Sequence, residues 1–322
     1  MAAQELKSCA ARVLAAGDDS VVFSYGGAPE DLLELRIAVA VYRVIRFEVP
    51  RPKALLGHEH FGRLVAAVKE AVGERAFEGF RFGAAGSDSP VFARLAAALE
   101  EATGLERSEE GELLLRFRPT GGGWEVLVRL TPRPLSARSW RRCNLPGGLN
   151  ATVAAAGLQL LGASGAERHL NLMCGSGTLL VERGLGGRWK RGVGLDVAPA
   201  ALECARRNLE AAGLGERAEL IVGDAATLPF ADGSFDRLSA DLPWGDAIGG
   251  HEENSRLYPA FLAESARVAA RHARMLAITH ELRLFERALS QQSEWRLAGE
   301  PLRVFHGGHR PGLYLLERLP AR

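Results

Sequence analysis

The chain has 322 residues, 47% hydrophobic and 25% charged, the balance of a globular protein able to fill two or three compact units and too apolar for extensive disorder. Forty Lys and Arg face 39 Asp and Glu, a formal charge of +1, so the total neither demands nor forbids a polyanionic partner. No apolar run approaches the roughly 18 residues of a membrane span, and the opening MAAQELKSCAARVL lacks the basic-then-apolar layout of a targeting segment.

The first zone, 1–72, begins with a strand at 21–25 (VVFSY). Residues 31–45 carry helical spacing at Leu32, Leu35, Ile37 and Val41, which predicts a helix with a β-branched end able to extend. Residues 60–73 predict a second helix stopped at Gly73. The second zone alternates a strand at 77–85, an amphipathic helix at 89–105, and strands at 111–119 and 124–132 joined through Gly121–Gly123 as a hairpin. Cys9, Cys143, Cys174 and Cys204 are scattered without a CxxC pair, which predicts neither disulfides nor zinc and fits a reducing cytoplasm. His58 with His60, and His306 with His309, lack further ligands at metal spacing, so no metal is expected.

Charge is unevenly distributed after this point. No acidic residue lies between Glu125 and Glu167, a stretch carrying Arg129, Arg133, Arg138, Arg141 and Arg142. It reads either as a solvated linker or as a phosphate contact, since guanidinium forks match phosphate oxygens and Trp140 lies among them. On the second reading Arg133, Arg138, Arg141 and Arg142 contact the phosphates of a ligand.

The third zone alternates apolar strands at 167–173, 191–196, 218–223, 236–241 and 274–280 with helices at 177–184, 198–212 and 257–271. This is the pattern of an α/β doubly wound parallel sheet. Two further strands over 295–319, joined by a Gly-rich turn, would close it with an antiparallel pair, as in the class I methyltransferase fold.

Candidate chemistry gathers at the ends of these strands. Asn171-Leu172-Met173-Cys174-Gly175-Ser176-Gly177-Thr178 is a small-residue turn leading into a helix, suited to close ligand approach. Leu180 stands where a dinucleotide fingerprint needs its third Gly, and the Lys of a P-loop is absent. Asp196, followed by Val197, ends the next strand and can accept from two ribose hydroxyls. Asp224, between Gly223 and Ala225, can accept from an adenine amine. Together these fit an adenosyl group without pyrophosphate. Asp241-Leu242-Pro243-Trp244-Gly245 follows the fourth strand. There an indole can stack on a flipped base while the Asp241 carboxylate and Leu242 carbonyl accept both hydrogens of an exocyclic amine. Such an amine is a poor nucleophile until its lone pair leaves the ring plane, so this geometry suits methylation.

NLMCGSGTLLVE resembles the D-P-x-C-G-S-G-T segment of THUMP-domain RNA methyltransferases, and DLPWG resembles their D-L-P-aromatic-G segment, nearest to the tRNA guanine-N2 methyltransferases. Upstream, FRFGAAGSDSPVFARLAAALEEATGL resembles a THUMP core and LRIAVAVYRVI the ferredoxin-like domain before it. The resemblance implies a ferredoxin-like domain over 1–72, a THUMP RNA-binding domain over 73–134, a linking segment over 135–160 and a Rossmann-like methyltransferase domain over 161–322. It implies S-adenosyl-L-methionine as cofactor. Asn171, Met173, Cys174, Gly175, Ser176, Gly177 and Thr178 would hold the methionine end, Asp196 and Val197 the ribose side, Asp224 and Ala225 the adenine, with Asp241 bordering the methyl. Asp241, Leu242, Pro243 and Trp244 would form the catalytic loop. The implied substrate is guanosine N2 in tRNA, at position six of the acceptor stem, with ribosomal RNA as an alternative. A non-catalytic RNA-binding or assembly factor is the reading from another class. Two positions depart from the pattern: Asn171 replaces Asp, and Trp244 replaces Tyr or Phe.

Overall fold

The computed structural model describes residues 1–73, 75, 77–162, 167–187, 189–243, 250–305 and 308–320, apart from the side chain of residue 251. These form two compact units, Ala2–Ala137 and Arg138–Arg322.

The first unit opens with helix α1 (Ala2–Ser8) and a hairpin of β1 (Arg12–Ala16) and β2 (Val21–Ser24). Its main sheet contains β3 (Tyr42–Phe47), β4 (Phe80–Gly83), β5 (Leu113–Thr120) and β6 (Gly123–Arg129), in the order β3-β6-β5-β4. β5 and β6 make the expected hairpin, with Thr120 opposite Gly123. Helices α2 (His58–Val72) and α3 (Pro90–Thr103) bring Leu64, Val68, Leu95 and Leu99 into one buried cluster with Leu113, Leu115, Val126 and Val128. Burying each such side chain contributes roughly 1.5–3 kcal/mol.

Two expectations for this unit are corrected. Residues 31–45 form no α-helix; they give a 3-10 turn at Pro29–Glu34 and then β3. The β-branched Val44 and Ile45 suit a pleated strand, and β3 finds a full antiparallel partner in β6, which local periodicity cannot reveal. The boundary expected at residue 72 is also absent. β3 shares its sheet with β4–β6, and one apolar cluster runs from Leu6 to Leu130.

The second unit contains α4 (Ala151–Leu161), β7 (Glu167–Leu172), α5 (Thr178–Leu185), β8 (Trp189–Asp196), α6 (Pro199–Ala211), β9 (Ala218–Val222), β10 (Phe235–Asp241), α7 (His251–Val268), β11 (Ala269–Thr279) and α8 (Leu282–Ser290). It ends with β12 (Trp295–Leu297), β13 (Leu302–Arg303) and β14 (Gly312–Arg318). The sheet order is β12-β14-β11-β10-β7-β8-β9, with β13 also on β14. β7 to β11 are parallel and β14 is antiparallel to β11, the class I methyltransferase topology. The C-terminal segment gives three strands where two were expected, because Gly299 (φ +143°) and Pro301 interrupt the first. α7 starts earlier than expected, its first turn capped by Gly250 N–H donating to Glu253 Oε2 at 3.2 Å.

The segment 135–160, expected to be a linker, divides at residue 137, and its larger part is built into this unit. Ala154, Leu158 and Leu161 of α4 pack with Leu179, Leu276, Ile278 and Leu313. Residues 142–143 are laced to α6 by the buried Asn208. Its Oδ1 accepts from the backbone N–H of Arg142 (2.8 Å) and Cys143 (2.9 Å), and its Nδ2 donates to Cys143 O (2.9 Å). This brings Cys143 within 5.3 Å, Cα to Cα, of Cys204, and the two form a disulfide. The expectation of four unpaired cysteines is therefore corrected; Cys9 and Cys174 remain free. The sequence separation of 61 hid the pair, which exists only once the segment lies on α6.

Candidate active site

From β7 the chain winds through β8 and β9 to one edge of the sheet, and from β10 through β11 toward the other. Beyond the carboxyl ends of β7 and β10, where the winding reverses, folds of this kind form their binding crevice. The first element there is the turn after β7. Met173 (φ +48°), Gly175 (φ +51°) and Gly177 (φ +77°) curl it in the left-handed region, with Cys174 N–H on Leu195 O (3.0 Å) and Gly177 N–H on Cys174 O (2.8 Å). A Cβ on Gly177 would lie 3.1 Å from the Ala205 Cβ, whereas one on Gly175 would meet nothing within 4 Å. Gly177 thus allows α6 to approach, and Gly175 leaves an open backbone face for a ligand.

Asp196, half-buried at the end of β8, pins this turn. Its Oδ2 accepts from Gly175 N–H at 2.8 Å and its Oδ1 from Ala198 N–H at 3.0 Å. An ionised carboxylate has further lone pairs, so acceptor capacity remains for hydroxyls. Gly223 N–H donates to Asp196 O at 3.0 Å, tying the end of β9 to that of β8. The exposed Asp224 follows, its Oδ1 accepting from Ala226 N–H at 2.8 Å, while Ala225 is buried beneath. Val197 and Val222, just past the end of β8 and at the end of β9, are 64% and 58% exposed. Val222 was not singled out from sequence, because a strand-ending valine has no motif.

Asn171 is 1% exposed, and its Nδ2 bridges to Ser239 O (3.1 Å) on β10 and to Leu172 O (3.3 Å). An ionised Asp could not donate to either carbonyl, so the departure from the family pattern matches its surroundings. Its Oδ1 is buried without a hydrogen-bond partner among the described residues, leaving an acceptor for a ligand's ammonium group. Cys174 is buried, and burial, reinforced by Asp196, drives its thiol pKa well up, which favours an inert neutral thiol over a thiolate.

Asp241 ends β10 half-buried beside the turn-bearing strand. Leu242 is fully buried and donates its N–H to Ile278 O at 2.8 Å. Pro243 O accepts from Tyr258 Oη at 3.0 Å and from Asn254 Nδ2 at 3.3 Å, both on α7. Trp244, the expected stacking residue, lies outside the described residues, as does His306. Among the described residues no helix is long and apolar enough to cross a membrane, and no three His, Cys, Asp or Glu group as metal ligands.

The arginine expectation is corrected in part. Arg138 pairs with Glu182 at 2.9 Å, the side chains 11% and 0% exposed. Arg141 donates to Leu149 O (2.9 Å) and Thr178 Oγ1 (3.0 Å), and its guanidinium sits 5.0 Å over the ring of the buried Trp140. Both therefore brace the first turns of α5 and are engaged internally, because a five-donor fork is satisfied by nearby carbonyls as readily as by phosphate. Asn208 joins them, its Nδ2 donating to Ser176 O at 2.9 Å. Arg133 and Arg142 are exposed.

The family described as "RMKL-like, methyltransferase domain" matches residues 138–311, more than half of the chain. The chain belongs to this methyltransferase family. The bovine tRNA (guanine(6)-N(2))-methyltransferase THUMP3 is 29% identical over 215 residues, covering 61% of this chain and 41% of that protein. The tRNA (guanine(6)-N2)-methyltransferase of Methanocaldococcus jannaschii is 26% identical over 196 residues, covering 49% of this chain and 51% of that protein. The chain thus spans about half or less of these curated relatives. The crystal structure of TrmN from Thermus thermophilus superposes with a TM-score of 0.76 at 24% identity, covering 99% of this chain and 96% of that one, which establishes the shared fold. Family membership accounts for the acceptor-lined edge, since a methyltransferase needs a methyl-donor site and a target site at one crevice.

Proposed function

We propose that this chain is an S-adenosylmethionine-dependent RNA methyltransferase acting on guanosine N2 in tRNA, at the position 6 carried in the names of its relatives. The observation that carries the reading is the convergence of the Gly175 turn, Asp196 and Asp241 at one switch point of a methyltransferase sheet. The residues fit the cofactor: Asn171 Oδ1 awaits a donor, Gly175 is open, and Val197 and Val222 offer apolar surface. When bound, S-adenosylmethionine supplies a methyl on an electrophilic sulfonium.

The chain's own residues do the rest. Asp196 accepts from the ribose hydroxyls and Asp224 from the adenine amine. Asp241 and the Leu242 carbonyl accept the two hydrogens of the guanine amine, turning its lone pair out of the ring plane. With the donor bound, the amine nitrogen would take the methyl as the sulfonium leaves as a neutral thioether, and Asp241 would accept the proton that the nitrogen loses. A carboxylate offers acceptors to both guanine N1–H and N2–H, whereas Asn would suit adenine's edge better. The test is transfer of labelled methyl to tRNA, followed by nucleoside digestion. N2-methylguanosine is the expected product; label confined to ribosomal RNA or to another nucleoside contradicts the reading.

With Arg138 and Arg141 engaged internally, RNA phosphates fall to the exposed Arg133 and Arg142, joined by Arg116 on the sheet face of the first unit turned away from α2 and α3. Arg46 and Arg118 (side chains 72% and 56% exposed) clasp the buried Glu125 at 2.8 and 2.7 Å, and the exposed Arg116 lies 5.7 Å over Tyr42. Arg116→Gln is expected to weaken RNA binding and lower the slope of log Kd against log salt by about one. Arg141→Gln is expected to lower Tm and leave that slope unchanged. Salt-titrated fluorescence anisotropy distinguishes the two, and a flattened slope in Arg141→Gln would return that residue to the RNA interface.

A further inference from the structure

The Pro243 carbonyl takes no part in the chemistry above, yet two buried side chains of α7 converge on it. Tyr258 and Asn254 are 0% and 1% exposed and one helical turn apart. The direction of this network follows from its donors. A carbonyl only accepts, so the single Tyr258 O–H points at Pro243 O, 3.0 Å away. Thr279 Oγ1, 3.0 Å from Tyr258 Oη, then gives its own proton to the phenol oxygen and accepts from Glu281 N–H at 3.0 Å. A one-way chain runs from Glu281 N–H through Thr279 and Tyr258 to the Pro243 carbonyl. Burial, with Asp241 and Glu281 adding to it, pushes the Tyr258 pKa up to about 12, so the phenol remains a donor across neutral pH.

Leu242–Pro243 is therefore held at both ends, by Ile278 O on the Leu242 N–H and by α7 on the Pro243 carbonyl. The proline ring fixes φ between them, so the intervening Leu242 carbonyl has one orientation. We propose that Tyr258 and Asn254 are positioning residues for methyl transfer: anchoring the Pro243 carbonyl holds the Leu242 carbonyl and the Asp241 carboxylate as a preset pair of acceptors for the target amine. This inference rests on the function proposed above and extends it to residues outside the motif.

The test uses the full chain, tRNA and S-adenosylmethionine in single-turnover assays. Tyr258→Phe removes the hydroxyl and keeps the ring, 5.9 Å from Phe285. The transfer rate is expected to fall by about 10- to 100-fold while tRNA and donor Kd stay within about threefold. Thr279→Ser, which keeps the hydroxyl, is expected to match wild type. Thr279→Val is expected to fall in the same direction as Tyr258→Phe, and the double variant no further than Tyr258→Phe alone, because both break one chain. A wild-type rate in Tyr258→Phe, or donor affinity lost in step with the rate, overturns the proposal. No transfer by the wild-type protein overturns the proposed function along with it, whereas transfer undiminished in Tyr258→Phe overturns the positioning role alone.

Discussion

Asp241→Ala is expected to abolish methyl transfer, lowering the single-turnover rate by at least about 10²–10³-fold, the loss seen when a preorganised transition-state partner is removed. Donor affinity should stay within a few-fold of wild type. The asymmetry follows from position. Asp241 ends β10 and leads into the anchored Leu242–Pro243 dipeptide, whereas the donor turn is pinned from β8 by Asp196. In the proposed complex, donor contacts would come mainly from elements Asp241 does not hold, and its carboxylate would matter most as the amine pyramidalises. Calorimetry with S-adenosylmethionine beside single-turnover transfer separates the two. Loss of donor binding in Asp241→Ala would assign the residue to the cofactor site.

Asp196→Ala is expected to give the reverse profile. Its carboxylate holds Gly175 N–H and Ala198 N–H and, in the proposed complex, the ribose hydroxyls. Hydrogen bonds to a charged group contribute about 1.5–3 kcal/mol each, so loss of two ribose contacts alone should raise donor Kd by at least about 100-fold. Loosening of the Gly175 turn adds to this. At saturating donor the transfer rate should recover to within a few-fold of wild type, because Asp196 does not touch the target amine. Unchanged donor affinity would show that Asp196 neither binds ribose nor sets the turn for the donor.

The methyltransferase half was legible because its signals are local. Apolar stretches within β7 to β11 alternate with helical segments along the chain, and the candidate chemistry sits at strand ends, where it follows the chain. What escaped depends on contacts distant in sequence. β3 looked helical because its partner, β6, lies some 80 residues on. The boundary at 72 failed for the same reason, since that pairing fuses both segments into one sheet. Arg138 and Arg141 looked like phosphate ligands because sequence shows charge and not the Glu182 carboxylate or Leu149 carbonyl that engages them. Cys143–Cys204 and the Asn208 network needed the segment before α4 to be laid on α6. Asn171 stands in sequence as a departure from Asp, and only the structure shows its amide bridging β7 to the Ser239 carbonyl. Asn254 and Tyr258 did carry a signal, two polar side chains one turn apart, but nothing in sequence says that this face meets the Pro243 carbonyl.

The most direct measurement compares methyl transfer to two tRNAs identical except at one nucleotide: guanosine 6, or inosine in its place. Inosine keeps the N1–H, the ring and the sugar and lacks only the exocyclic amine. Label should enter the guanosine tRNA as N2-methylguanosine and be absent from the inosine tRNA, with binding of the two equal. Equal labelling of both would mean that the amine steered by Asp241 is not the methyl acceptor.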